Sequence, residues 1–179
     1  MSTHKSFAVI GAGTLGLPIL SVLATQNVSI VLLSRKGVDT SKTLPTSVQV
    51  AIASTTLVTA VFTKHKVDTV ISTVTSAAVP MQTVLADAVK SMGVKLFMPS
   101  EFGMATEAQP HSPKNKVVEH IKSVGLPYAR FFASGHSFIK FIPWLTPVSD
   151  SKITIMGSGE VPLSFTSIGD VSGKPSTPS

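Results

Sequence analysis

Apolar residues follow two rhythms along the chain. They run without interruption from Phe7 to Ile10, which is typical of a buried strand, and after a short turn they recur at helical spacing at Leu15, Ile19 and Leu23. Further apolar runs and helical patterns alternate in the same way as far as Tyr128. The sequence therefore predicts an α/β fold built on a doubly wound parallel sheet.

The remaining elements are predicted from short apolar runs and from helical spacing. Further strands are expected at 29–33, 48–52, 68–72, 95–98 and 128–131. Helices are expected at 54–64, at 80–92 and from Pro113, with Ser112 as N-cap. The apolar face of the helix at 80–92 is expected to consist of Met81, Val84, Leu85, Ala88, Val89 and Met92. Later residues predict a short apolar helix at 137–145, a hairpin at 152–165 and the start of a helix at 168–171.

The first strand runs into the pattern Gly-x-Gly-x-x-Gly, which opens the first helix. Gly11 permits a tight turn, Gly13 lets a phosphate approach the backbone without a Cβ in the way, and Gly16 lets the helix pack closely on the strand. An ordinary glycine-rich turn is the alternative. Because strand, turn and helix occur together, the pattern favours a dinucleotide-binding loop that consists of Gly11, Ala12, Gly13, Thr14, Leu15 and Gly16.

Three residues at the end of the second strand favour NADP(H) over NAD(H). Sites for NAD carry an acidic residue here, which binds the ribose hydroxyls of the adenosine, whereas this chain has Ser34, Arg35 and Lys36. A guanidinium group can pair with a 2′-phosphate through two hydrogen bonds, so these residues are predicted to bind the cofactor. Two alternatives are that Asp39 serves as the acid and that Arg35 is a solvated loop cation.

The loop after the fourth strand is expected beside the cofactor. Ligands of open parallel sheets lie outside the carboxyl ends of the strands, and this loop carries two hydroxyl side chains, Thr73 and Thr75. Both are candidate cofactor contacts. Hydroxyls that only stabilise the turn are an equally good interpretation.

The composition excludes several kinds of site and partner. The chain has no cysteine, which excludes disulfides, thiol catalysis and cysteine-bound metal, and its five histidines lack metal-ligand spacing, so no metal is expected. The net charge of +6 comes from scattered lysines, which favours a basic surface near a phosphate site over a nucleic-acid partner. Glycines and Pro18 interrupt the apolar N-terminal run, so the sequence predicts no signal peptide, no membrane span and a cytoplasmic location.

Several segments are similar in order and spacing to one protein family. They are the glycine turn, the arginine after the second strand, Gln82, Phe-Met-Pro-Ser-Glu-Phe-Gly at 97–103 and Gly-Leu-Pro-Tyr at 125–128. Over about residues 6 to 171 they resemble the NmrA-like and isoflavone reductase-like family of atypical short-chain dehydrogenases/reductases. The resemblance implies an NADP-binding Rossmann domain at 1–131 and part of a substrate domain at 132–171, as in a C-terminally truncated relative. The composition of residues 172–179 predicts a disordered tail.

The resemblance also implies a catalytic lysine. In the reductases of the family, a lysine near the start of the helix before the Gly-x-Pro-Tyr turn acts in proton transfer, and this role is carried to Lys114, with Lys116 as second choice. Helical geometry favours Lys114, because it shares a face with Val118 and Ile121. A surface lysine whose stem covers the sheet edge is the alternative.

The chain departs from the reductases near this lysine. Val117, Val118 and Glu119 stand where basic residues are usual, and His136 stands where plant reductases tend to have an aromatic ring. Phe102 and His136 are predicted to lie on the substrate side, with a histidine that only lines a loop as the alternative. The single tyrosine is not followed by a lysine four residues later, which excludes the usual short-chain dehydrogenase mechanism.

The predicted function is an NADPH-dependent reductase that transfers hydride to a small conjugated or aromatic substrate. Since the NmrA-like branch also contains NADP-binding regulators without established catalysis, a redox sensor that binds a protein partner is the alternative. A nucleic-acid binder is a third hypothesis. The apolar residues at 138–145 would lack cover in a truncated chain, so a homodimer through this region is predicted.

Overall fold

A parallel sheet of five strands forms the centre of the protein. The structure is a computed structural model that describes residues 4–34, 44–52, 55–103, 105–107, 109, 111–133 and 166–173. The strands are β1 (Ser6–Ile10), β2 (Ser29–Ser34), β3 (Val48–Ile52), β4 (Thr69–Ser72) and β5 (Leu96–Met98). Their order is β3-β2-β1-β4-β5 with parallel neighbours throughout, which confirms the predicted doubly wound sheet.

Helices follow the strands and cover both faces of this sheet. They are α1 (Gly16–Leu23), α2 (Thr55–His65), α3 (Gln82–Ser91), α4 (Pro113–Ser123) and α5 (Ile168–Ser172), and a 3-10 turn (Ser76–Met81) precedes α3. In the described segments, no helix has the length and apolarity that a membrane span requires.

Each face of the sheet buries its own apolar cluster. Ala8 and Val70 pack with residues of α2, α3 and α4, whereas Val9 and Ile71 pack with residues of α1 and α5. Successive side chains of a strand point to opposite faces, and Ala8 and Val9 are both fully buried. This is why β1 is an uninterrupted apolar run rather than an alternating pattern.

Most element boundaries lie within one residue of the prediction. β3 covers the predicted residues, β2 extends one residue further, and β4 and β5 each begin one residue later. α2 is displaced by one residue, and α4 begins at Pro113 with Ser112 as its N-cap residue. Apolar periodicity thus located these elements well.

The predicted sixth strand at 128–131 is wrong beyond its first residue. Tyr128 forms one isolated parallel bridge with Phe97, and Ala129 donates its N–H to the Phe97 carbonyl oxygen at 3.1 Å. The next donor in a parallel ladder would be the N–H of residue 99, which is proline and has none. The pairing therefore ends after one bridge.

The helix predicted to begin at Pro80 also needs correction. Pro80 lies in the 3-10 turn, and α3 begins two residues later, at Gln82. Met81 and Val84, which were predicted to face the core, are 71% and 59% exposed, respectively.

A buried polar side chain explains this error in helical phase. The inward positions of α3 are Gln82, Ala86 and Val89, at the spacing of one helical face. Gln82 is 2% exposed because its Oε1 accepts a hydrogen bond from the Ser100 N–H at 2.8 Å. An apolar pattern cannot include such a glutamine, so it placed Met81 and Val84 on the buried face, whereas its placement of Val89 there is confirmed.

Several predictions lie outside the described residues. They concern Arg35, Lys36, His136, the helix at 137–145 and the hairpin at 152–165. The helix predicted from residue 168 is confirmed as α5, and it includes Ser172, which the sequence assigned to the tail.

The glycine loop yields a stability prediction with an internal control. A Cβ on Gly16 would lie 2.1 Å from the backbone oxygen of Gly11, whereas no atom of the described residues lies within 4 Å of the Cβ position of Gly13. We expect Gly16→Ala to lower the free energy of unfolding by at least about 2 kcal/mol through overpacking. Gly13→Ala should change it by less than about 0.5 kcal/mol. Urea unfolding of both variants measures the difference, and equal losses would contradict the packing role of Gly16.

Candidate functional site

The glycine loop joins β1 to α1 at the carboxyl end of the central strand. The sheet continues from β1 to β2 on one side and to β4 on the other, so the loop lies where the strand order reverses. Gly11 has a φ of 99°, and Gly16 leaves no room for a Cβ against the Gly11 carbonyl. The chain's own packing therefore requires glycine at both positions.

The middle of the loop has the space and the donors that an anion needs. The Cβ position of Gly13 is open. Within the described segments, the N–H groups of Ala12, Gly13 and Thr14 donate to no acceptor, and the N-cap residue of α1, Leu15, makes no side-chain capping bond. Free N–H groups beside the positive end of a helix dipole attract an anion. The loop therefore fits a pyrophosphate group.

The hydroxyl group of Thr73, the residue that follows β4, stabilises this loop. Thr73 Oγ1 lies 3.0 Å from the carbonyl oxygens of both Ile10 and Gly11, so it donates to the turn itself. The structure thus agrees with the interpretation that the Thr73 hydroxyl stabilises the turn. Thr75 is exposed further along the same loop, and Ser34 is buried at the end of β2. Contacts of these three side chains with a cofactor stay predictions.

Ser100, which follows β5, forms hydrogen bonds to α3 and to the loop after β4. Its N–H donates to Gln82 Oε1 and its hydroxyl donates to the Val74 carbonyl, each at 2.8 Å. The chain then bends sharply, since Glu101 donates its N–H to the carbonyl two residues earlier and Phe102 has a φ of 33°. Such a φ is strained for a bulky aromatic residue.

The bend places a carboxylate in the protein interior. The Glu101 side chain is 1% exposed, and Arg130 Nε donates to its Oε1 at 2.9 Å. Its other oxygen, Oε2, is buried and has no hydrogen-bond partner in the part of the chain that the structure describes. A buried charge is costly unless it is paired, so the fold depends on Arg130 at this point.

Arg130 also fastens the loop between β5 and α4. Its Nη1 donates to Glu107 Oε1 at 2.6 Å, and its Nη2 donates to Thr106 Oγ1 at 2.8 Å and Asn115 Oδ1 at 3.3 Å. Asn115 in turn donates to the Thr106 carbonyl at 2.6 Å. The guanidinium carbon lies 4.7 Å from the centre of the Phe132 ring, within cation–π distance. One arginine thus connects the Glu101 carboxylate, the loop and the first turn of α4.

Lys114 reaches the same place from the first turn of α4. Its Nζ donates to the Glu101 backbone carbonyl and lies 3.8 Å from Glu101 Oε2. Val118 and Ile121 are buried on its face of the helix and Lys116 is exposed, so the orientation predicted from helical spacing is confirmed. The structure brings Lys114 to the sheet edge that also carries the glycine loop. Its role in proton transfer stays a prediction.

Phe102 is part of the second apolar cluster. It is 5% exposed, and its ring centre lies 6.1 Å from that of Phe131. Both rings line an apolar cavity of about 190 Å³ between the sheet, α1 and α5, and none of the described residues that line it is titratable. The placement of Phe102 on the substrate side stays a prediction.

Sequence reasoning did not find the pairing of Glu101 with Arg130. A signal was present, since each is the only charged residue in an otherwise uncharged stretch, 97–103 and 126–133 respectively. The two residues are 29 positions apart, however, and only the approach of residue 128 to β5 brings them together.

Comparisons with known proteins place the sequence in a family. The sequence matches the NmrA-like family over residues 3–166. Isoeugenol synthase 1 of Clarkia breweri is 34% identical over 109 residues, which cover 54% of this chain and 34% of that protein. Isoflavone reductase homolog P3 of Arabidopsis thaliana is 34% identical over 110 residues, which cover 52% and 35%. The chain spans about a third of the length of these curated relatives.

Solved structures share the fold over most of the chain. Leucoanthocyanidin reductase of Vitis vinifera in complex with NADPH has a TM-score of 0.76 at 19% identity, covering 95% of this chain and 62% of that one. AtPrR2 with NADP+ and (+)-pinoresinol has a TM-score of 0.76 at 23% identity, covering 96% and 64%. AtPrR2 in its apo form has a TM-score of 0.75 at 27% identity, covering 94% and 63%. The fold is therefore of the Rossmann type.

The buried ion pair yields a second stability prediction. Arg130→Met leaves the Glu101 carboxylate buried without its cation, so the free energy of unfolding should fall by about 3 kcal/mol or more. Adding Glu101→Gln should recover part of the loss, because a neutral amide is less costly to bury. As a control, Glu107→Gln removes a carboxylate that is 58% exposed on the same arginine and should cost less than about 1 kcal/mol. Urea unfolding at neutral pH measures all four proteins, and similar losses for the two single variants would contradict the buried pair.

Proposed function

The chain belongs to the NmrA-like family, and we propose that it binds NADP(H) and transfers hydride from NADPH to a small conjugated or aromatic substrate. One observation carries the proposal, namely that the glycine loop and Lys114 lie at the same carboxyl edge of the sheet. The loop follows β1. The ammonium group of Lys114, on α4, contacts Glu101, which follows β5, and β5 is two strands away from β1 in the sheet. At the usual spacing of strands this separation is about 10 Å across the sheet.

The residues of the loop support the cofactor half of the proposal. The open Cβ position of Gly13 and the free N–H groups of Ala12 and Thr14 would hold the pyrophosphate. Arg35 and Lys36 follow β2 and would pair with the 2′-phosphate. Neighbours with the same fold were solved with NADPH or NADP+. NADPH, when bound, supplies the hydride.

Lys114 supports the catalytic half of the proposal. Its ammonium group lies beside Glu101, just after β5, and its side chain is 24% exposed, so a ligand at this edge can reach it. A lysine at this place can give a proton to an oxygen of the substrate, or take one from it, while hydride is transferred. The substrate class comes from the curated relatives, which include an isoeugenol synthase and an isoflavone reductase homolog.

Nucleotide titration tests the cofactor. We expect NADPH to bind more tightly than NADH, and Arg35→Asp to weaken NADPH binding at least about tenfold while NADH binding changes little. Gly13→Val should abolish binding of both, because its side chain occupies the open space. Lys122→Asp makes the same change of charge on an exposed position of α4 and serves as the control. Calorimetry gives the dissociation constants, and unaltered NADPH binding by Arg35→Asp would contradict the phosphate contact.

Turnover tests Lys114. With a panel of enones and phenylpropanoid compounds, Lys114→Ala should lower the rate of NADPH oxidation at least about a hundredfold and leave NADPH affinity nearly unchanged. Lys116→Ala, on the exposed side of the same helix, should retain the rate. Full activity of Lys114→Ala would remove this residue from the mechanism. NADPH binding without oxidation of any compound in the panel would favour the redox sensor instead.

A further inference from the structure

The buried Glu101 carboxylate has one oxygen that lacks a partner. Arg130 occupies Oε1, whereas Oε2 is buried without a hydrogen bond in the described part of the chain. An ionised carboxylate accepts several hydrogen bonds, and a buried acceptor without a donor is destabilising. The nitrogens of Arg130 are already directed to Oε1, Glu107, Thr106 and Asn115, so they are not free to fill this position.

Lys114 is close enough to donate a hydrogen bond to Glu101 Oε2 after a small shift. Its Nζ lies 3.8 Å from Oε2 while it donates to the backbone carbonyl of the same glutamate. Charged hydrogen bonds are about 2.7–2.9 Å long, so a shift of roughly 1 Å joins the two groups. Because an ammonium group has three donors, the carbonyl and Oε2 would take two of them. The third would remain for another acceptor.

The acceptor is itself held firmly. Arg130 fixes the carboxylate from the side of the loop, and the bend with its left-handed Phe102 turns the Glu101 carbonyl towards α4. A strained conformation persists only where the surrounding structure enforces it, and such strain is common at functional sites. Both acceptors for Lys114 therefore belong to one immobilised residue.

We propose that Glu101 is the positioning residue for Lys114, whose ammonium group it holds at the carboxyl end of β5 through its backbone carbonyl and Oε2 while Arg130 holds the carboxylate. This inference rests on the proposed function, because the position matters for a reaction only if Lys114 transfers a proton. The contacts at the ammonium group can nevertheless be measured without cofactor or substrate.

Nitrogen-15 NMR of the lysine ammonium groups is the first test. With Lys114→Arg and Lys116→Arg used for assignment, hydrogen exchange is measured on the full chain at low temperature. The protons on Lys114 Nζ should exchange at least about tenfold more slowly than those on Lys116, which is exposed on the same helix. Equal rates in the unchanged chain would overturn the proposal, and this comparison needs no destabilising variant.

Glu101→Gln is the second test. Glutamine keeps an oxygen for Arg130 but puts an NH2 group where Oε2 was, so a donor faces the ammonium group. Exchange at Lys114 should rise several-fold, while the Glu101 backbone carbonyl still accepts from the ammonium group. Glu119→Gln, which removes the same charge from an exposed position of α4, should leave it unchanged. Exchange at Lys114 that is as slow in a folded Glu101→Gln protein as in the unchanged chain would overturn the role of the carboxylate.

Kinetics separate positioning from a purely structural role. With a substrate that is turned over, Glu101→Gln should lower kcat at least about tenfold, the effect of one misplaced charged group, with the NADPH dissociation constant unchanged. An unchanged kcat, or a parallel loss of NADPH affinity, would overturn the proposal. Slow exchange at Lys114 in a chain that turns over no substrate would contradict the reductase function while it supports the placement of the ammonium group.

Discussion

Burial of both faces of a parallel sheet is the constraint on which the rest of this structure depends. Apolar residues of β1 and β2 point to both faces, so helices have to cover each of them. Each strand then runs into its helix at the same edge of the sheet. The glycine loop, the Thr73 loop and the bend after β5 meet at this edge for that reason, although they are far apart in sequence.

The two halves of the site use the sheet edge in opposite ways. The glycine loop leaves N–H groups free and space open, as a loop for an exogenous anion requires. The end of β5 instead pairs its polar groups within the chain, through Ser100, Glu101 and Arg130. One part of the edge therefore leaves space and donors for an anion, and the other holds Lys114.

The errors of sequence-based prediction share one physical origin. Apolar periodicity assumes that polar residues face solvent, but Gln82 and Glu101 are buried, and a donor from a distant segment binds one oxygen of each side chain. The sixth strand was predicted from residues 128–131. Its pairing with β5 beyond Tyr128 needs a backbone N–H at residue 99, and Pro99 has none. In each case a partner elsewhere in the chain decided the outcome.

The sequence by itself determined the order of strands and helices, the glycine loop and the orientation of Lys114 on α4, because these follow from local spacing and backbone sterics. It also carried the resemblance to the NmrA-like family, which the comparisons confirm. Only the tertiary structure decided that Thr73 stabilises the glycine loop, that Arg130 neutralises Glu101 and that Lys114 is held by Glu101. Those contacts join segments that are 13 to 62 residues apart, and packing in three dimensions selects among the many partners that a sequence allows.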